Sequence, residues 1–154
     1  MDKADLILRI IQNLHDELAQ AIHAAEEAHA GATHEQSKAE TQYDTIGLEH
    51  AYLAEGQSRR IDELHLEISK LENWLAPAFT DDDEVYLGAC LSLISEDNND
   101  TLSIFITPSG GARNIEGTQV ITPATPLGEA LLGKSLEDIV TLPNGKRYSI
   151  DRIF

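Results

Sequence analysis

Ile7-Leu8-Arg9-Ile10-Ile11-Gln12-Asn13-Leu14-His15-Asp16-Glu17-Leu18-Ala19-Gln20-Ala21 places apolar residues in steps of four and three, at Ile7, Ile11, Leu14, Leu18 and Ala21. The rhythm continues through Ala25, Ala28 and Ala32. It resumes at Tyr43, Ile46, Leu53, Ile61, Leu64, Ile68, Leu71 and Leu75. A seam of this period on two successive limbs predicts two long helices zipped into an antiparallel coiled-coil hairpin. All five prolines of the chain fall after it, between Pro77 and Pro143, which leaves the limbs free of proline.

Equal arms between Ala4 and Leu75 centre the hairpin turn near Ala39 and Glu40, with Ile11 opposite Ile68, Leu14 opposite Leu64 and Leu18 opposite Ile61. A slip of one heptad also matches. Helix-end signals at Gly31, at Thr33 with Gln36 and at Ser37 with Glu40 spread the expected tip over residues 31–44. Each arm of about 35 residues spans roughly 50 Å. Toward the tip the seam thins to Ala21, Ala25, Ala28, Ala32 and Gly47, which predicts a narrow distal end. That suits insertion into a channel, and equally an ordinary alanine-rich coiled coil.

The chain divides into a hairpin over residues 1–76, an acidic linker over 77–84 and a compact domain over 85–154. Beyond the linker the apolar period falls to two. Residues 85–95 and 102–107 read as strands joined across the polar turn at 96–100, and Ser109-Gly110-Gly111 reads as a turn. A short strand is expected at 120–122 and a short helix at 127–132 ending on Gly133. Residues 139–142 and 147–153 form a hairpin around Asn144-Gly145. The fold class is α+β: a coiled-coil hairpin followed by a small antiparallel β domain with one covering helix.

The formal charge of −16 opposes direct binding to DNA or RNA, because neutralising phosphates requires clustered Lys and Arg. Neither half is basic: residues 1–76 hold 15 acids against 6 bases, and the remainder 12 against 5. Such a surface fits a partner with a positive face or carboxylates that meet a metal, and it also fits mere solubility. No run reaches the roughly 18 apolar residues of a membrane span, and the N-terminus lacks a signal-peptide pattern, so a cytoplasmic location is expected. The single Cys90 excludes an intrachain disulfide and reads as a buried small hydrophobe. All six histidines lie on the hairpin with no two four apart, and Glu26 with His29 is an isolated Glu-x-x-His, so no metal motif is indicated.

Thr125-Pro126-Leu127-Gly128-Glu129-Ala130-Leu131-Leu132-Gly133-Lys134, followed by Glu137-Asp138-Ile139-Val140 and Asn144-Gly145-Lys146-Arg147-Tyr148-Ser149-Ile150, resembles the C-terminal domain of bacterial Gre-type transcription elongation factors. Glu55-Gly56-Gln57-Ser58-Arg59-Arg60-Ile61-Asp62-Glu63-Leu64 is similar to the second hairpin helix of that family. The resemblance implies an FKBP-like C-terminal domain docking on bacterial RNA polymerase at the entrance of its secondary channel. The hairpin then reaches toward the catalytic Mg²⁺ of the polymerase, with no cofactor of the factor's own. Acidic tip residues in that family help hold a second metal ion, so that the polymerase cleaves the 3′ end of a backtracked transcript. The factor itself is then an accessory protein and not an enzyme, and is expected to be a monomer.

The tip departs from the family pattern: the string Gly-Asp-Leu-x-Glu-Asn does not occur. Alignment on Arg60-Ile61 puts Glu40 at the position of the family Asp, with Asp44 one residue beyond that of the Glu. Alignment on Tyr43 puts Gln36 and Ala39 there instead. Glu40 and Asp44, four apart and able to share a helix face, are the expected catalytic and metal-meeting acids, with Glu35 third. Pro126, Leu127, Gly128, Leu131 and Lys134 are the expected docking residues. The alternatives are a channel-occupying regulator without cleavage activity, an FKBP-like prolyl isomerase, and a coiled-coil homodimer.

Overall fold

The computed structural model describes the backbone of residues 2–38 and 45–154, and the side chains of 2–30 and 55–154. The elements run α1 (Lys3–Lys38), α2 (Thr45–Glu72), β1 (Cys90–Ser95), β2 (Thr101–Ile106), β3 (Arg113–Ile115), β4 (Thr118–Ile121), α3 (Pro126–Leu131), β5 (Ile139–Thr141) and β6 (Arg147–Ile153). They form an N-terminal helical pair followed by a small β domain, the α+β arrangement expected. Two compact units result: Gln12–Ser69, and Met1–Ile11 together with Lys70–Phe154.

In the helical unit Leu14, Leu18 and Ala21 of α1 are buried, as are Leu64 and Ile68 of α2. The Arg60 guanidinium bridges the helices, donating to Glu17 at 2.8 Å, with Glu63 at 3.4 Å and Glu67 at 3.9 Å on its own helix. Burial opposes its charge, but the hydrogen bonds to Glu17 and Glu63 outweigh that and raise its pKa.

Near the chain start the buried stripe is Leu6 and Ile10, one residue earlier than the expected Ile7 and Ile11, which are half-buried. The runs Leu6-Ile7-Leu8 and Ile10-Ile11 offer two adjacent stripes of the same period, so spacing alone does not choose between them. Leu75, assigned to the seam by its spacing, lies beyond the end of α2 and is 92% exposed.

The β domain is one six-stranded sheet in the order β3-β4-β2-β1-β6-β5. The spacing predicts a wholly antiparallel sheet, but β2 and β4 pair in parallel, from Ser103 opposite Thr118 to Ile106 opposite Ile121. The cause is β3, a strand the spacing does not flag: the chain leaves β2, lays β3 at the sheet edge and turns back through Glu116-Gly117 into β4. Both turn residues have positive φ, 49° and 89°, the geometry that two-residue hairpins favour. Residues 85–89 are not strand either. Gly88 (φ 97°) and a turn from Ala89 N–H to the Tyr86 carbonyl at 3.0 Å delay β1 until Cys90.

The largest apolar cluster lies on one face of this sheet, while Phe105, Cys90 and Val120 are buried on the other. Leu91, Leu93, Ile104, Ile106 and Ile150 are essentially inaccessible, and Leu131 of α3 closes over them. At about 25 cal/mol per Å² of apolar surface, burying each such side chain contributes roughly 1.5–3 kcal/mol against its exposed state.

Candidate functional site

The expected tip acids Glu35, Glu40 and Asp44 lie outside the residues whose side chains the structure describes. Among the described residues, no group of three or more His, Cys, Asp or Glu side chains could hold a metal ion.

The candidate docking segment begins at a helix cap. Thr125, extended at φ −73° and ψ 155°, accepts the Gly128 N–H through its Oγ1 at 3.0 Å and donates the same hydroxyl to the Thr122 carbonyl at 2.8 Å. Pro126 follows in the first turn, where its missing N–H costs nothing. A Cβ on Gly128 would stand 2.2 Å from the Thr122 oxygen, so glycine is required at this position for α3 to pack against that loop. Leu132 N–H closes the helix on the Gly128 carbonyl at 3.0 Å, and Gly133 (φ 80°) turns the chain back. Two hydrogen bonds then tie it to the start of the domain, Gly133 N–H to the Val85 carbonyl and Val85 N–H to the Lys134 carbonyl, both 2.8 Å.

Of the five expected docking residues, Gly128 and Leu131 are buried and serve the core. Pro126 and Lys134 are exposed, and Leu127 is half-buried against the core cluster. The exposed side chains of this segment are Pro126, Glu129 and Lys134, one acid and one base, with Leu127 half-buried between them.

A second surface is not signalled by the sequence. Ala4, Ile7, Leu8 and Ile11 of α1 with Leu71, Glu72, Trp74 and Leu75 line an open groove of ≈ 420 Å³. Leu8 in this groove is 58% exposed. The groove is illegible from spacing because Leu75 fits the seam period and so reads as covered.

Two further side chains resist a chemical role. Cys90 is buried, and burial pushes its thiol up to about 11. Tyr86, exposed, donates its hydroxyl to Glu84 at 2.7 Å, and that hydrogen bond raises its pKa.

With this geometry in place, known proteins supply the context. Residues 80–152 match the family model described as "Transcription elongation factor, GreA/GreB, C-term". Over that stretch, just under half of the chain, the β domain is similar to the C-terminal domain of GreA/GreB transcription elongation factors. No curated protein matches the sequence significantly. Among solved structures, the chain is similar to GreA factor homolog 1 (Gfh1) of Thermus thermophilus, with 21% identity, 94% of each chain covered and a TM-score of 0.42. It is similar also to Thermus aquaticus Gfh1, with 23% identity, 92% of each chain covered and a TM-score of 0.41. A GreA/GreB factor from Nitrosomonas europaea matches 60% of this chain and 78% of its own, with 19% identity and a TM-score of 0.38.

Proposed function

We propose that this protein binds bacterial RNA polymerase at the entrance of its secondary channel through the β domain, extends its hairpin toward the active centre, and stimulates cleavage of backtracked transcripts. The observation that carries the reading is the GreA/GreB match over residues 80–152 in a chain whose preceding residues form two long helices. The protein is then an accessory factor of the polymerase and needs no cofactor of its own. Glu40 and Asp44, with Glu35 behind them, are the carboxylates that would meet the polymerase's Mg²⁺, a hard ion that takes oxygen ligands and activates water for phosphodiester hydrolysis.

One specific observation favours a second reading. The family's Gly-Asp-Leu-x-Glu-Asn string is missing from this sequence. A hairpin without the usual acids would occupy the channel and slow the polymerase instead of assisting hydrolysis.

A halted, backtracked complex of purified bacterial polymerase decides between them. Adding the protein with Mg²⁺ should shorten the RNA from its 3′ end. Slower elongation without shortening would establish the channel-occupying reading in its place, and failure to bind polymerase would overturn both.

A further inference from the structure

We propose that Gly110 and Gly88 form a positioning socket: two glycines in left-handed backbone conformation that receive the first turns of α1 and the end of α2 and fix how these helix roots seat on the sheet. The inference rests on the polymerase-binding reading above for its functional consequence, but the socket itself stands on contacts within a single compact unit.

Gly110 has φ +76°, and a Cβ there would lie 2.7 Å from Ile10 Cγ2 and 3.2 Å from Leu71 Cδ1. One bare Cα therefore touches the first helix and the last turn of the second at once. Its loop is held in shape by Thr107, wholly buried, whose hydroxyl donates to the Ser109 carbonyl at 2.8 Å. Gly88 (φ +97°) repeats the device for the chain leaving α2: a Cβ there would lie 2.5 Å from Pro77 Cδ and 3.3 Å from Trp74 Cζ2. The Trp74 ring meets buried Phe105 of β2 at 6.1 Å between centroids.

Two polar ties flank these seats. Arg9 pairs with Glu116 of the β3–β4 turn. Lys3 donates to the Pro77 carbonyl at 2.8 Å and lies 4.8 Å over the Phe79 ring. Both glycines are needed for two reasons together, because an L side chain resists the backbone angle and a Cβ would fill the seat.

The seat lies near the start of a long helix: past Ile10, α1 continues to Lys38, about 40 Å at 1.5 Å per residue. A docked domain with a loosened socket would bind polymerase normally and act on it poorly.

Gly110→Ala tests this, with Gly117→Ala as its control. Gly117 has φ +89° and no atom within 4 Å of where a Cβ would stand, so its variant carries the backbone strain without the crowding. The only tryptophan, Trp74, reports on the root directly through acrylamide quenching of its fluorescence. In Gly110→Ala we expect quenching to rise at least twofold. The effect on backtracked complexes should fall at least tenfold, while the Kd for polymerase stays within about twofold. Gly117→Ala should change none of these, and adding Ile10→Ala, which removes the crowding methyl, should restore part of the loss.

Should Gly110→Ala not fold, Thr107→Val releases the Ser109 carbonyl and should shift the same readouts in the same direction. Indistinguishable quenching in the Gly110 and Gly117 variants would overturn the socket. So would a loss of binding and of effect in equal proportion. If the wild-type protein does not bind polymerase, the functional reading fails while the quenching comparison still decides whether the socket exists.

Discussion

Cys90 exchanges backbone hydrogen bonds with Phe154, N–H to carbonyl at 2.8 Å in one direction and 2.9 Å in the other, and its side chain is buried. Burial disfavours the thiolate and raises the pKa to about 11, with the nearby positive charge of Lys3 only partly offsetting it. At pH 8 the native thiolate fraction should be about a hundredfold below that of an ordinary thiol, and reaction with a disulfide reagent correspondingly slower than in guanidinium. Equal rates in the native and unfolded protein would refute the assignment. Because the folded pKa lies above the unfolded value, this residue's contribution to stability is intact below about pH 9 and is lost as pH rises toward 11. Denaturant midpoints measured across that window should decline, and a Cys90→Ala variant should decline less.

At the scale of the element, α3 shows how a six-residue helix is made to hold. So short a helix gains little from its own hydrogen bonds, so its cap and its buried face decide its stability. Thr125→Ala removes both hydroxyl bonds and should cost about 1 kcal/mol in chemical denaturation, whereas Thr125→Ser should cost a few tenths. An alanine variant as stable as the wild type would show that the Thr122 loop, not the cap, holds the helix.

This element is legible in the sequence within one residue at each end, because Pro126, the spaced leucines and Gly133 all agree. The terminal hairpin is legible for the same reason: Asn144-Gly145 is a turn signal, and Gly145 takes φ 84°. The β3–β4 hairpin is not, because its first turn residue is Glu116, held at positive φ by its surroundings while Asn114 Oδ1 accepts the Gly117 N–H at 2.8 Å. Residues 85–89 misread as strand because their apolar residues also pack inward from a turn. Burial within the expected docking segment is not legible: the spacing that marks Leu131 as important cannot say that it serves the core.

For the whole molecule, the proposed function assigns two jobs to two regions: recognition by the β domain and action by acids far from it in the chain. That division can be tested without truncation. In the whole chain, Glu40→Ala with Asp44→Ala changes no residue of the six strands, of α3 or of the groove lined by Ile7, Leu8 and Trp74. If the acids serve chemistry, the double variant should compete with wild type for polymerase at about equal concentrations. RNA shortening in backtracked complexes should nevertheless drop by about tenfold or more, because the second metal ion would lose its carboxylate ligands. Increasing Mg²⁺ should recover part of the activity, since a weakened second-metal site fills at higher concentration. A double variant that loses binding and shortening together would place Glu40 and Asp44 in docking instead. One that keeps both would leave Glu35, or the alignment on Tyr43, to account for the tip.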